Sequence, residues 1–169
     1  MTIKNYIKIT KAGEAVSLIL KAANENNLEN LRQWKNEQRK FFFHKDMITP
    51  EHQRAWFTQY QVRNHDYMFI VDLNGIAIGC MGIRLLDEEW DIYNVILGLP
   101  HYGKKGYMGK VFKTMLAYAQ SISNCPITLQ VLKANPAVEW YKKKGFVVAA
   151  EQADHYSMVY QFNTILEDV

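Results

Sequence analysis

Apolar positions along the chain change period several times, and each change predicts an element. Val16, Leu18 and Leu20 alternate with polar neighbours, the mark of a strand. Leu28, Leu31 and Trp34 then recur at helical spacing through "NNLENLRQWKNEQRK", with Asn27 as the cap. Thr49, Pro50 and Glu51 supply a cap, a proline at the first helical position and an acidic first turn. A second helix therefore runs through "EHQRAWFTQYQ" to near Asn64, with His52, Trp56 and Tyr60 on one stripe. "YMFIVD" and "IAIGCMGIRLL" flank Asn74-Gly75, a pair that provides the two positive φ angles of a type I′ hairpin turn. The strand "WDIYNVILGL" follows the acidic loop "DEE". Its alternation assigns Asp91, Tyr93, Val95 and Leu97 to one face and Trp90, Ile92, Asn94 and Ile96 to the other.

Farther on, Met108, Val111, Phe112, Met115, Leu116 and Ala119 fall at i, i+3, i+4, i+7, i+8 and i+11, the pattern of a helix docked on a sheet. "ITLQVL" predicts another strand, and Asn135-Pro136 with Gly145 bracket a short helix, "PAVEWYKKK". "FVVAA" and "HYSMVYQF" close the chain as two strands. Six or seven strands with about four helices define an α/β (α+β) protein. No repeat or Pro/Gly/Ser linker divides the 169 residues, so one domain is expected over 1–169.

Composition narrows the chemistry. A net charge of +3 with 22% charged residues is too mild for a nucleic-acid binder, and no apolar run approaches the ~20 residues of a membrane span. A cytoplasmic location is expected. Cys80 and Cys125 lack the spacing of a zinc site, so no metal is expected. The densest signal is "HYGKKGYMGK", residues 101–110, where Gly103, Gly106 and Gly109 precede the docked helix among lysines. A P-loop is excluded, because Gly103 to Gly109 is one residue too long and Val111 stands where a magnesium-binding hydroxyl belongs. A dinucleotide fingerprint is excluded by the G-x-x-G-x-x-G spacing. What remains is a helix start whose N–H groups and dipole favour a phosphate approached closely by glycine backbone, over Lys104, Lys105, Gly106, Tyr107, Met108 and Gly109.

"LPHYGKKGYM" resembles the strand, proline and glycine turn of the GNAT superfamily of acyl-CoA-dependent N-acetyltransferases, with Gly103 and Met108 departing from its usual residues. "LQVLKANPAVEWYKKKGF" is similar to that family's strand, Asn, helix, Tyr, Gly-Phe segment. The resemblance runs from about Leu28 to Phe162. It implies a mixed, mostly antiparallel sheet with splayed central strands, and acetyl-CoA as the donor. It also implies pantetheine contacts at Asn135, backbone donors at Ile96, Leu97 and Gly98, and Tyr141 as the acid that protonates the departing thiolate. A phenol is a reasonable donor to such a sulfur. Gly98 suits a bulge. Asp91 is the nearest carboxylate for a general base.

The acceptor should be read by the first two helices. "LRQWKNEQRKFFFHKDMITPEHQRAWF" resembles acetyltransferases acting on nucleotide-linked 4-amino-4,6-dideoxy sugars, with Trp34, Asn36, Arg39, His52 and Trp56 at matching positions. Aromatic rings would stack on the sugar or base, and Arg39 with Lys40 would meet the diphosphate. Ribosomal-protein N-terminal acetyltransferases share a related pattern, and a non-catalytic acyl-CoA-binding module of the same fold is the alternative outside enzymes. The expected partner is a small-molecule amine, with a homodimer possible in this fold.

Overall fold

The structure is a computed structural model that describes residues 6–10, 13 and 15–162; the outermost parts of the expected 1–169 span lie outside them. Its elements, in chain order, are β1 (Tyr6–Lys8), β2 (Leu18–Ala22), α1 (Leu28–Glu37), α2 (Pro50–Gln61), β3 (Asp66–Leu73) and β4 (Ile76–Leu86). There follow β5 (Glu89–Leu97), α3 (Tyr107–Ile122), β6 (Ile127–Leu132), α4 (Ala137–Lys143), β7 (Phe146–Glu151) and β8 (His155–Tyr160). One mixed sheet runs in the order β1-β2-β3-β4-β5-β6-β8-β7, eight strands where six or seven were expected. The extra strand is the three-residue edge β1, too short to show alternation.

The β3–β4 hairpin turns where Asn74-Gly75 predicts, with φ of 52° and 84°. Asn74 Oδ1 accepts from Ser17 N at 2.7 Å, tying the turn to the start of β2. Alternation along β3 divides the core. Phe69, Val71 and Leu73 pack with Val111, Phe112 and Met115 of α3 on one face. Met68 and Ile70 pack with Leu31 and Trp34 of α1 on the other.

Helix starts are shifted by local side chains. Asn27 does not cap α1; it closes a 3₁₀ turn, Glu25–Asn27, through a capping box with Asn24. Asn135 Oδ1 accepts from Ala137 N at 2.9 Å, while Pro136 occupies the cap position of α4. Along α2 the buried stripe is Gln53 and Phe57 flanked by Trp56 and Tyr60, and His52, though exposed, lines a cavity with Gln53 and Trp56.

The decisive irregularity is in β5. Three residues of β4, from Cys80 to Gly82, face four of β5, from Tyr93 to Ile96, and Asn94 has φ of 50°. The bulge expected at Gly98 therefore lies at Asn94. It breaks the alternation: Ile92 packs on the α3 face, whereas Ile96 packs with Met68, Ile70 and Cys80 on the α1 face. Asn94 and Ile96 thus join Asp91 and Tyr93 on one side. Gly98 is required for another reason, since a Cβ there would overlap the Trp34 indole. Gly98→Val is expected to lower stability by about 1–3 kcal/mol through overpacking. Urea unfolding checks this, and an unchanged midpoint would show that the indole moves aside freely.

Candidate active site

β5 and β6 pair in parallel over only three residues, Trp90–Ile92 with Ile127–Leu129, while the other edge of β6 stays paired with β8 from Thr128 to Leu132. The sheet opens there, and a cleft of about 1070 Å³ occupies the opening. Backbone along the opened stretch of β5 has no strand partner on that side. Leu97 faces the cleft, its carbonyl accepting from Gln38 Nε2 at 3.0 Å. Of the three expected backbone donors, Gly98 is already engaged, its N donating to Ile78 O at 2.8 Å, and the Ile96 side chain is buried against Cys80 on the α1 face.

At one end of the cleft lies the glycine turn. Lys104 and Gly106 have φ of 59° and 79°, which turns the chain into α3 with Gly106 at the cap position and no capping side chain. The first amides of α3, at Tyr107, Met108 and Gly109, have no carbonyl one turn earlier to pair with, and these residues line the cleft. A sixteen-residue helix adds its dipole at the same point. Gly109 is fitted to Lys144, whose Nζ would come within 2.6 Å of a Cβ there. Lys144 lines the cleft while Lys105, directed over Tyr102 at 5.7 Å, does not. The sequence reading missed Lys144, although a cation just before the Gly145 stop was a visible signal.

Asn135 and Tyr141 stand at the other end. Asn135 Nδ2 donates to Phe41 O at 3.4 Å, linking the start of α4 to the chain after α1. Tyr141 is buried against Phe112 and Phe146, each about 6.0 Å away, and burial pushes its phenol well above the ordinary tyrosine value. Among the described residues no hydrogen bond holds the Tyr141 hydroxyl and no buried side-chain nitrogen or oxygen lacks a partner, and Tyr141 lines the cleft.

A second cavity, about 270 Å³, meets the cleft at Phe41, Phe42, Val95, Asn135 and Tyr141. Asp91 lines it. Arg84 Nε donates to Asp91 Oδ2 at 2.9 Å, and burial nevertheless raises the carboxyl above its usual range. Phe43, His44, Arg84 and Lys35 share the same walls. Behind Lys35 is a third cavity of about 190 Å³, mostly apolar, where His52 and Trp56 are found.

The other expected acceptor residues serve the scaffold. Trp34 is buried beneath Gly98. Asn36 is buried and clamps the chain before α2, accepting from Ile48 N at 2.8 Å and donating to Ile48 O at 3.0 Å. Arg39 Nη1 donates to Asn36 O at 2.9 Å at the end of α1 and lines none of the three cavities. Lys35, between Trp34 and Asn36, is the residue of this segment that faces two cavities.

This is a fold that parts its own sheet, with an uncapped helix start and the phenol of Tyr141 both lining the opening. A model of the family described as "Acetyltransferase (GNAT) family" matches residues 28–146, and the chain belongs to that family. It is accordingly an acyl-CoA-dependent N-acetyltransferase. Similar solved structures include a domain from Methanocaldococcus jannaschii DSM 2661, with TM-score 0.75 and 17% identity over 87% of this chain and 99% of that one. Spermidine N-acetyltransferase from Vibrio cholerae, in complex with CoA and spermine, gives TM-score 0.73 and 20% identity over 84% and 94%. FdhC, described as a nucleotide-linked sugar GNAT in its apo form, gives 0.68 and 18% over 85% of both. At such identities the likeness speaks for the fold alone. No curated protein matches the chain. Among the described residues no helix is long and apolar enough to cross a membrane, and no group of three or more His, Cys, Asp or Glu is placed to hold a metal ion.

Proposed function

We propose that the enzyme transfers acetyl from acetyl-CoA to the 4-amino group of a nucleotide-linked 4-amino-4,6-dideoxy sugar. In this reading the arm of acetyl-CoA lies in the opened sheet, and its pyrophosphate rests on the amides from Lys104 to Gly109 with Lys144 beside them. The free amine attacks the thioester carbonyl carbon, the C–N bond forms, and the C–S bond breaks. Tyr141 gives its proton to the leaving sulfur, and solvent returns one to the phenol. Asp91, with its raised carboxyl, is the candidate to accept a proton from the acceptor nitrogen. Use of acetyl-CoA carries a cytoplasmic setting with it.

The observation that carries the acceptor class is the wall of the 270 Å³ cavity: Phe41, Phe42 and Phe43 in succession, and one carboxylate, Asp91, already engaged by Arg84. Aromatic faces suit a sugar ring or a base. A polyamine would bring several positive charges to a place with no carboxylate free to meet them. A peptide terminus would need an extended groove with edge pairing, which successive phenylalanines narrow.

Thiol release from acetyl-CoA, measured against a panel of amino-sugar nucleotides, polyamines and peptide N-termini, tests the reading. Amino-sugar nucleotides are expected to be turned over fastest. Robust acetylation of peptides or polyamines, with no activity on any amino-sugar nucleotide, would reject the acceptor and leave the acetyltransferase assignment untouched.

A further inference from the structure

Lys35 is held where a charged lysine is hard to justify by stability. Its Nζ donates to Asn94 Oδ1, on the bulge of β5, and lies 3.4 Å from the centroid of the Phe42 ring. Among the described residues no carboxylate pairs with it. The groups around it have other engagements. Asp91 is bound by Arg84, and Asp66 is held by Tyr93 and Arg63. Cys80, beneath it on β4, has its thiol pushed up to about 12 by burial and supplies no negative charge. His44, His52 and Tyr141 are the remaining titratable side chains on the walls it faces. Burial lowers the Lys35 ammonium to about 8.

A desolvated cation without a counterion costs stability, and such a cost persists at sites where a ligand repays it. We propose that Lys35 is the anion contact of the acceptor site, its ammonium pairing with a phosphate of the nucleotide that carries the amine. The inference rests on the nucleotide-linked reading of the acceptor and replaces Arg39 and Lys40 in that role. Arg39 is turned back onto Asn36 O, and Lys40 lies over Phe41 at 4.9 Å. Phe42 and Asn94 aim the ammonium, which makes the contact directional.

The sign of the pH effect follows from the lowered value. Lys35 in the folded chain loses its proton near pH 8, well below an unfolded lysine at about 10.4. Its folded-state contribution therefore improves between those values and worsens as pH falls through 8. At pH 7 the empty site holds an unrewarded charge, so Lys35→Met is expected to raise the Tm of the free protein.

Calorimetric titration of uridine diphosphate into the full chain, saturated with CoA, is the test. Wild type is expected to bind, Lys35→Met to bind about 10-fold or more weakly, and Lys35→Arg to retain most of the affinity. Wild-type affinity should fall as pH rises above 8, whereas that of Lys35→Arg should hold. CoA affinity should be alike in all three. Equal binding of uridine diphosphate by Lys35→Met would overturn the inference, as would a fall in kcat with affinity unchanged, which assigns Lys35 to proton transfer. Should wild type acetylate amino-sugar nucleotides yet not bind uridine diphosphate, the inference fails and the acceptor reading stands. Lys35-dependent binding without any amino-sugar acetylation gives the converse.

Discussion

Tyr141→Phe is expected to lower kcat by about 100-fold while leaving the Kd for CoA nearly unchanged. The substitution removes one oxygen that has no hydrogen-bond partner among the described residues and keeps the ring packed on Phe112 and Phe146, so the fold should not respond. Stopped-flow and steady-state thiol release together separate chemistry from product release. Wild-type turnover in the variant, with chemistry shown to limit the rate, would return Tyr141 to the core. The pH profile adds a check with a definite sign. Burial raises the phenol, so its acid form persists beyond the pH at which an exposed tyrosine, at about 10, would ionise. No alkaline loss of turnover below that pH should trace to Tyr141.

The second large effect is expected at the helix start. Gly106 has φ of 79° and nothing within 4 Å of an added Cβ, so a side chain there would suffer from the backbone conformation and not from crowding. Valine, branched at Cβ, is among the residues least tolerant of that region. Gly106→Val is expected to pull the turn out of line and misdirect the amides of residues 107–109, weakening CoA by about 10-fold or more if two charge-assisted hydrogen bonds are lost. Calorimetry on the variant decides it, with circular dichroism to show that it is folded. Undiminished affinity in a folded variant would place the pyrophosphate elsewhere.

Most of what was legible in the sequence is local. The Asn74-Gly75 hairpin, the apolar stripe from Val111 to Ala119 and the glycine turn before it each depend on residues within a few positions of one another. Backbone sterics and helical periodicity act at that range. Two motifs, one around Gly106 and one around Tyr141, sufficed to indicate the family because each carries its own turn and cap chemistry. Strand alternation was legible only as far as Tyr93. One inserted residue at Asn94 reverses every assignment after it, and nothing near Asn94 in the chain announces a bulge, since its cause is the register with β4 across the sheet. The acceptor side was harder still. Trp34, Lys35 and Asn36 are consecutive and look alike as candidates, yet one is buried under Gly98, one faces two cavities and one clamps Ile48. Successive helical positions point about 100° apart, so which of three neighbours meets the cavity is fixed by how α1 sits on the sheet. The sequence by itself determined the elements, the glycine turn before α3 and the class of reaction. The tertiary structure decided which side chains face the reacting groups, because that depends on packing between elements far apart in the chain.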